Sequence, residues 1–276
     1  MKTLASISEI FARHIIQTSG KPLMVEASDL RTYLCKHTRN QKANLLANEL
    51  LANKLLQLWN FSLPEMVLLN IKREHITDEI LSGWIQYANF KKPCLGFEYL
   101  QFAHTLSEMD MGIKANQAAK QKIINKNDLL RIVLFDIWLA NEDRSPNNFN
   151  LLLNAESQGY RIIPIDHEYI FNSNSPEKEL YPLNEGDSLI SSNFFQSLFP
   201  KQNRKNIVKL AQQIIEEFNE NLVICHENVE QILDNIPDEW NIDIDARRDL
   251  LTHIFSPNWY SKTIDTFNSF IQLTYK

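Results

Sequence analysis

The part of the sequence that most constrains the fold runs from 126 to 154. KNDLLRIVLFDIWLA carries apolar residues at helical spacing, NEDRSPNNFN is a polar loop, and LLLN opens a strand. A helix and a strand this apolar both need burial, so the polar side chains of 141–150 are confined to a short connection leaving the core. Asn127 or Asp128 is the expected helix cap. YRIIPIDHEYIF reads as a second strand, joined to the first by a turn around 157–159, with Asp166 closing its apolar run.

Before about residue 100 the pattern is mixed. MVEASDLRTYLCKH has β-favouring residues on both sides of a polar turn at Ala27-Ser28-Asp29, the pattern of a hairpin. Residues 40–59 become helical, with Leu46, Ala47, Leu50, Leu51, Leu55 and Leu58 at three- and four-residue steps. Pro64 stops that run, EMVLLNI follows as a strand, and PCLGFEYL is another short apolar segment with a glycine inside it. From about 190 onward NFFQSLF, KNIVKLAQQIIEEFNENL, NVEQILDNI, ARRDLLTHIF and SKTIDTFNSFIQL all read as helices. The expected fold class is α+β: a small sheet-plus-helix half over 1–100 and a larger, mainly helical half over 101–276. Ligand pockets favour such boundaries.

Composition narrows the function classes. With 276 residues, 44 % of them apolar and 22 % charged, the chain has the make-up of a soluble globular protein. Its net charge of −6 argues against direct nucleic-acid binding as its main activity. Cys35, Cys94 and Cys225 are odd in number and scattered, so neither a disulfide framework nor a zinc site is expected. No run approaches the ~18 apolar residues of a membrane span, and MKTLASISEIFARHIIQ lacks the apolar core of a signal peptide. A cytoplasmic location is expected.

Four segments carry chemistry. On the 141–148 loop, the Asp143 carboxylate and the Asn148 carboxamide stand five positions apart, and Asp166 follows eighteen residues later. Phosphoryl transfer needs this set: one carboxylate to orient a hydroxyl and accept its proton, an amide oxygen and a second carboxylate to hold magnesium. Singly, each is as well explained as a turn former; the combination is not. Lys36, inside the apolar strand TYLCKHT, needs a partner or a ligand. Glu49, thirteen residues on, is a partner that would set the ammonium on the phosphates of a nucleotide, although nothing else in its helix singles it out. In TSGKP, Gly20 lets backbone amides approach a phosphate, with Thr18 and Ser19 as hydroxyl donors; one glycine is also simply a turn. In GFEYL, the carbonyl of Glu98 and the amide of Leu100 can pair with an adenine edge, or the segment is a core strand. His167 and Glu168 have no second histidine at ligand spacing. Asp136, inside the apolar helix, is expected to anchor the loop, and Trp138, Trp240 and Trp259 to lie in the core.

These residues resemble the HipA-like kinases of bacteria, particularly the short single-chain group. The resemblance rests on SGKP, YLCKH, ANELLANKLLQLWNFSLPEMVLL, CLGFEYL, FDIWLANEDRSPNNFNLLL and IIPIDHEYIF, and more loosely on IPDEW with RRDLLTHIF. It implies a bilobal protein-kinase-like fold with ATP in the cleft. Asp143 would be the catalytic aspartate, Asn148 and Asp166 the magnesium ligands and Lys36 the phosphate lysine. SGKP would be the phosphate loop and 96–100 the hinge. The family includes serine/threonine kinases. Against the wider protein-kinase pattern, no G-x-G-x-x-G is present, Asn141-Glu142-Asp143 stands for His-Arg-Asp, Asp166-His167-Glu168 stands for Asp-Phe-Gly, and no A-P-E follows.

The leading expectation is an ATP- and magnesium-dependent kinase acting on a serine or threonine of a protein. A nucleotide-binding regulator with little turnover, a kinase of a small-molecule alcohol, and a helical scaffold stay open as alternatives. A protein substrate is expected as partner, and a regulatory or antitoxin-like protein as a further one.

Overall fold

The computed structural model describes residues 1–18, 20–39, 42–106, 120–173 and 179–275. Ser19, expected in the phosphate loop, lies outside them. The described residues form two compact units that interleave in sequence. The first comprises Met1–Lys54, Ser62–Gln101 and Glu230–Asp243, the second Leu55–Phe61, Phe102–Val229 and Ile244–Lys276.

The first unit is built on a five-stranded sheet in the order β1-β4-β5-β3-β2. Its strands are β1 (Thr3–Ala5), β2 (Leu23–Glu26), β3 (Thr32–Lys36), β4 (Met66–Asn70) and β5 (Cys94–Glu98). The expected hairpin is β2–β3, registered Leu23↔Cys35 through Glu26↔Thr32. Asp29 shapes its turn by accepting from the Arg31 amide (3.2 Å) and the Tyr33 hydroxyl (2.8 Å). β1, too short to show any periodicity, pairs parallel with β4, while β4–β5 and β3–β5 are antiparallel.

Side chains alternate across each strand, so Tyr33 and Cys35 of β3 are buried while Thr32, Leu34 and Lys36 are half-buried. Tyr33 and Cys35 join Val25, Val67, Leu69 and Cys94 in one core, covered by Ile71, Ile76, Ile80, Ile85 and Phe90 of the 71–93 segment. That segment has only short 3-10 turns, which is why no element is legible in its sequence. At about 25 cal/mol per Å², each fully buried Ile or Leu contributes roughly 1.5–3 kcal/mol. Residues 230–243 join this unit through Trp240, which is buried and donates its indole N–H to the Pro93 carbonyl (2.7 Å); Lys92 Nζ donates to the Trp240 carbonyl (3.1 Å). Helix α1 (Asn44–Leu58) buries Leu46, Ala47, Leu50, Leu51, Leu55 and Leu56.

The second unit centres on α2 (Asp128–Trp138), whose residues are buried from Leu129 onward except Arg131. Asn127 stands at its N-cap, as expected, without a side-chain capping bond, and the Asn125 amide donates to Asp128 Oδ2 (2.9 Å) and the Ile162 carbonyl (2.8 Å). Asn125 thereby ties the helix start to a strand. Trp138 stacks on Trp59 with ring centroids 5.7 Å apart, and its indole N–H donates to the Ile254 carbonyl (2.9 Å). Trp259 donates to the Trp138 carbonyl (2.8 Å), so both buried indoles are satisfied. A three-stranded sheet, β6 (Ala103–Thr105), β7 (Leu151–Glu156) and β8 (Gly159–Pro164), has the order β6-β7-β8. The remaining helices are α3 (Asn193–Leu198), α4 (Arg204–Glu227), α5 (Val229–Leu233), α6 (Ile244–Ile254) and α7 (Pro257–Thr274). Ser192 and Ser256 cap α3 and α7. Among the described residues no helix is long and apolar enough to cross a membrane.

Gly96 of β5 is required by packing. A Cβ there would come within 2.5 Å of Leu69 Cδ1, which is fully buried and has no room to retreat. At Gly83 a Cβ would meet nothing within 4 Å. We expect Gly96→Ala to lower the unfolding free energy by about 1–3 kcal/mol and Gly83→Ala to change it by less than about 0.5 kcal/mol; urea denaturation midpoints of the two variants check the contrast.

Candidate functional site

In the first unit, β3 ends on Lys36 and α1 places Glu49 against it. Lys36 Nζ lies 3.2 Å from Glu49 Oε2, with side-chain exposures of 14 % and 4 %. A carboxylate this buried is stable as an anion only beside a cation, so the pair fixes the position of the ammonium group. Glu49, the partner expected for Lys36, shares its helix with other buried polar residues, Asn48 and Asn53.

Gly20 lies in a tight turn where Lys21 (φ 44°) donates its amide to the Thr18 carbonyl (3.1 Å). A Cβ at Gly20 would come 2.7 Å from Arg39 Nη2, the tip of a flexible side chain. At the end of β5, Glu98 donates its amide to the Glu65 carbonyl and Tyr99 donates to that of Thr32, both at 2.9 Å. The Glu98 carboxylate accepts from Arg31 at 3.3 Å, so its side chain belongs to a surface ion-pair cluster with Asp29 and Glu65. Leu100 follows, half-buried.

In the second unit the loop after α2 holds Asp143 between two amides. Asn148 Nδ2 donates to Asp143 Oδ1 (3.1 Å) and to its carbonyl (3.1 Å), and Asn150 Nδ2 donates to Oδ2 (2.7 Å). Both carboxylate oxygens are thereby oriented. With its nitrogen engaged, Asn148 has Oδ1 as the atom left to face a cation. The Ser145 amide donates to the Asn148 carbonyl (2.9 Å) and the Asn148 amide to that of Ser145 (3.2 Å), closing the loop on itself.

Arg144 joins this loop to the turn that carries Asp166. Its side chain is fully buried and pairs with Asp136 of α2 at 2.8 Å. Nη1 donates to the carbonyls of Phe149 (2.9 Å) and Asn150, and Nη2 to the Ile165 carbonyl (3.2 Å) and His167 Nε2 (2.8 Å). His167 Nε2 thus accepts from a guanidinium, which places the ring proton on Nδ1. His167 thereby helps hold the Asp166 turn to the loop. Asp136 is the anchor expected of it: it also accepts from Asn141 Nδ2 (2.8 Å). Burial pushes its carboxyl above the usual range, while Arg144 and Asn141 pull it back.

Asp166 follows directly, in the left-handed region (φ 60°), and the Ile165 amide donates to the Asn150 carbonyl (3.0 Å). Asp143, Asn148 and the Asp166 turn are therefore tied together through Asn150 and Arg144. Phe171, Asn172 and Ser173 also have positive φ, at 59°, 52° and 56°. For residues other than glycine this backbone costs about 1–3 kcal/mol each and persists only where surrounding bonds over-determine it. Those bonds are Phe171 N to the Leu139 carbonyl (2.7 Å) and Asn172 N to that of Ala140 (2.9 Å).

The donors offered to a metal are oxygens, an amide and a carboxylate. Among the described residues no three of His, Cys, Asp and Glu cluster as a metal site. An ion that keeps its waters and takes further ligands from phosphates, as magnesium does, fits this donor set better than one needing a closed protein cage. Lys36 with Glu49 lies in the first unit and Asp143, Asn148 and Asp166 in the second. Arg144 and Asn150 were not singled out from sequence. The third asparagine of NNFN was the one available signal for Asn150; Arg144 looked like any charged loop residue.

Removing the Arg144 guanidinium strands Asp136 in the core. We expect Arg144→Met to lose about 3–5 kcal/mol of stability near neutral pH. With burial then opposed by Asn141 alone, Asp136 rises further. The native state would hold a proton that the unfolded state releases, so stability should recover as the pH falls from about 7 toward the ordinary Asp value near 4. Thermal unfolding of the variant across that range measures it.

The family model for HipA-like kinases matches residues 7–270, nearly the whole sequence. No curated protein matches the chain. Among solved structures it is similar to the Helicobacter pylori proinflammatory kinase CtkA, with a TM-score of 0.57 at 15 % identity over 99 % of this chain and 100 % of that one. That likeness establishes a kinase-like α+β fold and no more. With the family matched over almost its full length, the chain belongs to the HipA-like kinases.

Proposed function

We propose that this kinase transfers the γ-phosphate of ATP to a serine or threonine hydroxyl of a protein, with magnesium held by Asn148 and Asp166. The observation that carries the reading is the Asp143 carboxylate, oriented by two side-chain amides on a loop that Arg144 bolts to the Asp166 turn. A base must meet the hydroxyl in a fixed direction, and a carboxylate gripped at both oxygens is so fixed.

In this reading Asp143 accepts the hydroxyl proton as the acceptor oxygen bonds to the γ-phosphorus. The bond from that phosphorus to the bridging oxygen breaks, and ADP leaves with the electron pair. Lys36, positioned by Glu49, lies along the α- and β-phosphates. The Gly20 amide meets a phosphate oxygen, and the Glu98 carbonyl and Leu100 amide meet the adenine edge. Magnesium, when bound, neutralises charge on the phosphates. The protein acceptor is supported by the family resemblance. ATP use and three buried cysteines outside any disulfide suit a reducing cytoplasm.

Incubation with Mg-ATP, followed by intact mass and phosphosite mapping, tests the reading. The unaltered protein should label itself or an added protein. Asp143→Asn should reduce transfer about 10²–10⁴-fold while keeping nucleotide-induced thermal stabilisation, and Asp166→Ala should lose the magnesium-dependent part of that stabilisation. An Asp143→Asn protein with full activity would show that another group is the base.

A further inference from the structure

The strained backbone after Asp166 is held down by a side chain so far given no role. Glu142 immediately precedes Asp143. Its amide donates to the Tyr169 carbonyl (3.4 Å). Its Oε1 accepts from the Tyr181 hydroxyl (2.5 Å) and from Asn172 Nδ2 (3.4 Å). The Tyr181 amide in turn donates to Asn172 Oδ1 (2.9 Å), so Glu142, Asn172 and Tyr181 form a closed triangle.

The triangle stands where its energy is needed. Asn172 is the middle one of three consecutive left-handed residues, and the strand of bonds from Tyr169 to Asn172 runs along 139–142 up to the residue before Asp143. Tyr181 is 51 % exposed and contributes little burial, so the hydroxyl bond is what anchors its side chain. The Glu142 carboxylate also raises the Tyr181 hydroxyl above its ordinary titration range, as an acceptor that favours the protonated phenol does.

We propose that Glu142, through Tyr181 and Asn172, is a positioning residue: the triangle clamps the strained 171–173 backbone against the catalytic loop and so keeps Asp166 in register with Asp143 and Asn148. Without the clamp the 171–173 backbone keeps only its main-chain bonds to Leu139 and Ala140, and the Asp166 turn, five residues upstream of Phe171, is held less firmly at one of its two ends. The other end, the Ile165 contacts to Asn150 and Arg144, remains. The effect should therefore appear in metal-dependent binding rather than in global unfolding. This inference rests on the phosphotransfer reading for its functional half and on geometry alone for its structural half.

Tyr181→Phe removes the phenolic donor and leaves the ring. Glu142→Gln keeps an acceptor oxygen and serves as the conservative partner; Glu142→Ala removes it. Two readouts separate the halves: hydrogen exchange of the 166–173 amides without nucleotide, and the magnesium concentration at half-maximal thermal stabilisation by ATP. In Tyr181→Phe and Glu142→Ala we expect faster exchange at 171–173 and a half-maximal magnesium concentration raised about tenfold, the scale of one hydrogen bond to a charged group. Stabilisation by ATP without magnesium should be unchanged, and Glu142→Gln should restore most of both effects. Unchanged exchange would overturn the clamp, and faster exchange with unchanged magnesium dependence would overturn its link to Asp166. An unaltered protein that takes up no nucleotide would overturn the phosphotransfer reading and that link with it, while hydrogen exchange would still decide the clamp.

Discussion

The buried guanidinium of Arg144 is the fixed point of the second unit. It satisfies the charge of Asp136 in the core, reaches two carbonyls of the loop that presents Asp143, and reaches the carbonyl and the imidazole on either side of Asp166. Three stretches remote in sequence share one planar donor group. Arginine suits the place because its five N–H groups lie in a rigid fork, so bonds to several partners reinforce one orientation. A lysine would supply the charge without the geometry. The cost of burying the ion pair is offset only while all its partners are present, which makes the arrangement close to all-or-none.

The same logic recurs in the first unit at smaller scale. Lys36 ends a strand whose opposite face is packed into the core through Tyr33 and Cys35, so its own direction follows from the alternation of the strand. Glu49, buried on α1, needs a cation and finds this one. In both units a buried carboxylate selects the position of a cation. In the first that cation faces a phosphate under the proposed function, and in the second it holds the carbonyls around Asp143 and Asp166.

Much of the architecture was legible because periodic burial leaves a periodic sequence. The β2–β3 hairpin, helix α1, strands β4, β5 and β7, and the helical run from α3 to α7 stand where the apolar spacing predicts them, while β8 ends at Pro164 and the expected strand through Phe171 gives way to turns. Strands β1 and β6, three residues each, are too short for a period to show, and their pairing is decided by partners far along the chain. The 71–93 segment covers a sheet face without regular structure, so nothing local announces it. Asn127 stands at the N-cap of α2 as the sequence predicts, while Asn125 ties that helix start to Ile162, 37 residues away.

Of the candidate site, the sequence by itself determined which chemistry was on offer: an aspartate and an asparagine at fixed spacing on one loop, a later aspartate ending an apolar run, and a lysine in a strand. Residue types and local spacing suffice for that, because loops and strands present their side chains by local rules. Only the tertiary structure decided that Glu49, the partner the sequence offered, is buried against Lys36, that Asn150 shares the Asp143 carboxylate, and that Arg144 binds loop to turn. It also decided that residues 230–243 fold with the first unit through Trp240. The physical reason is common to all four. Each is settled by which buried polar group must be satisfied by which distant partner, and desolvation enforces that choice only once the chain has closed around it.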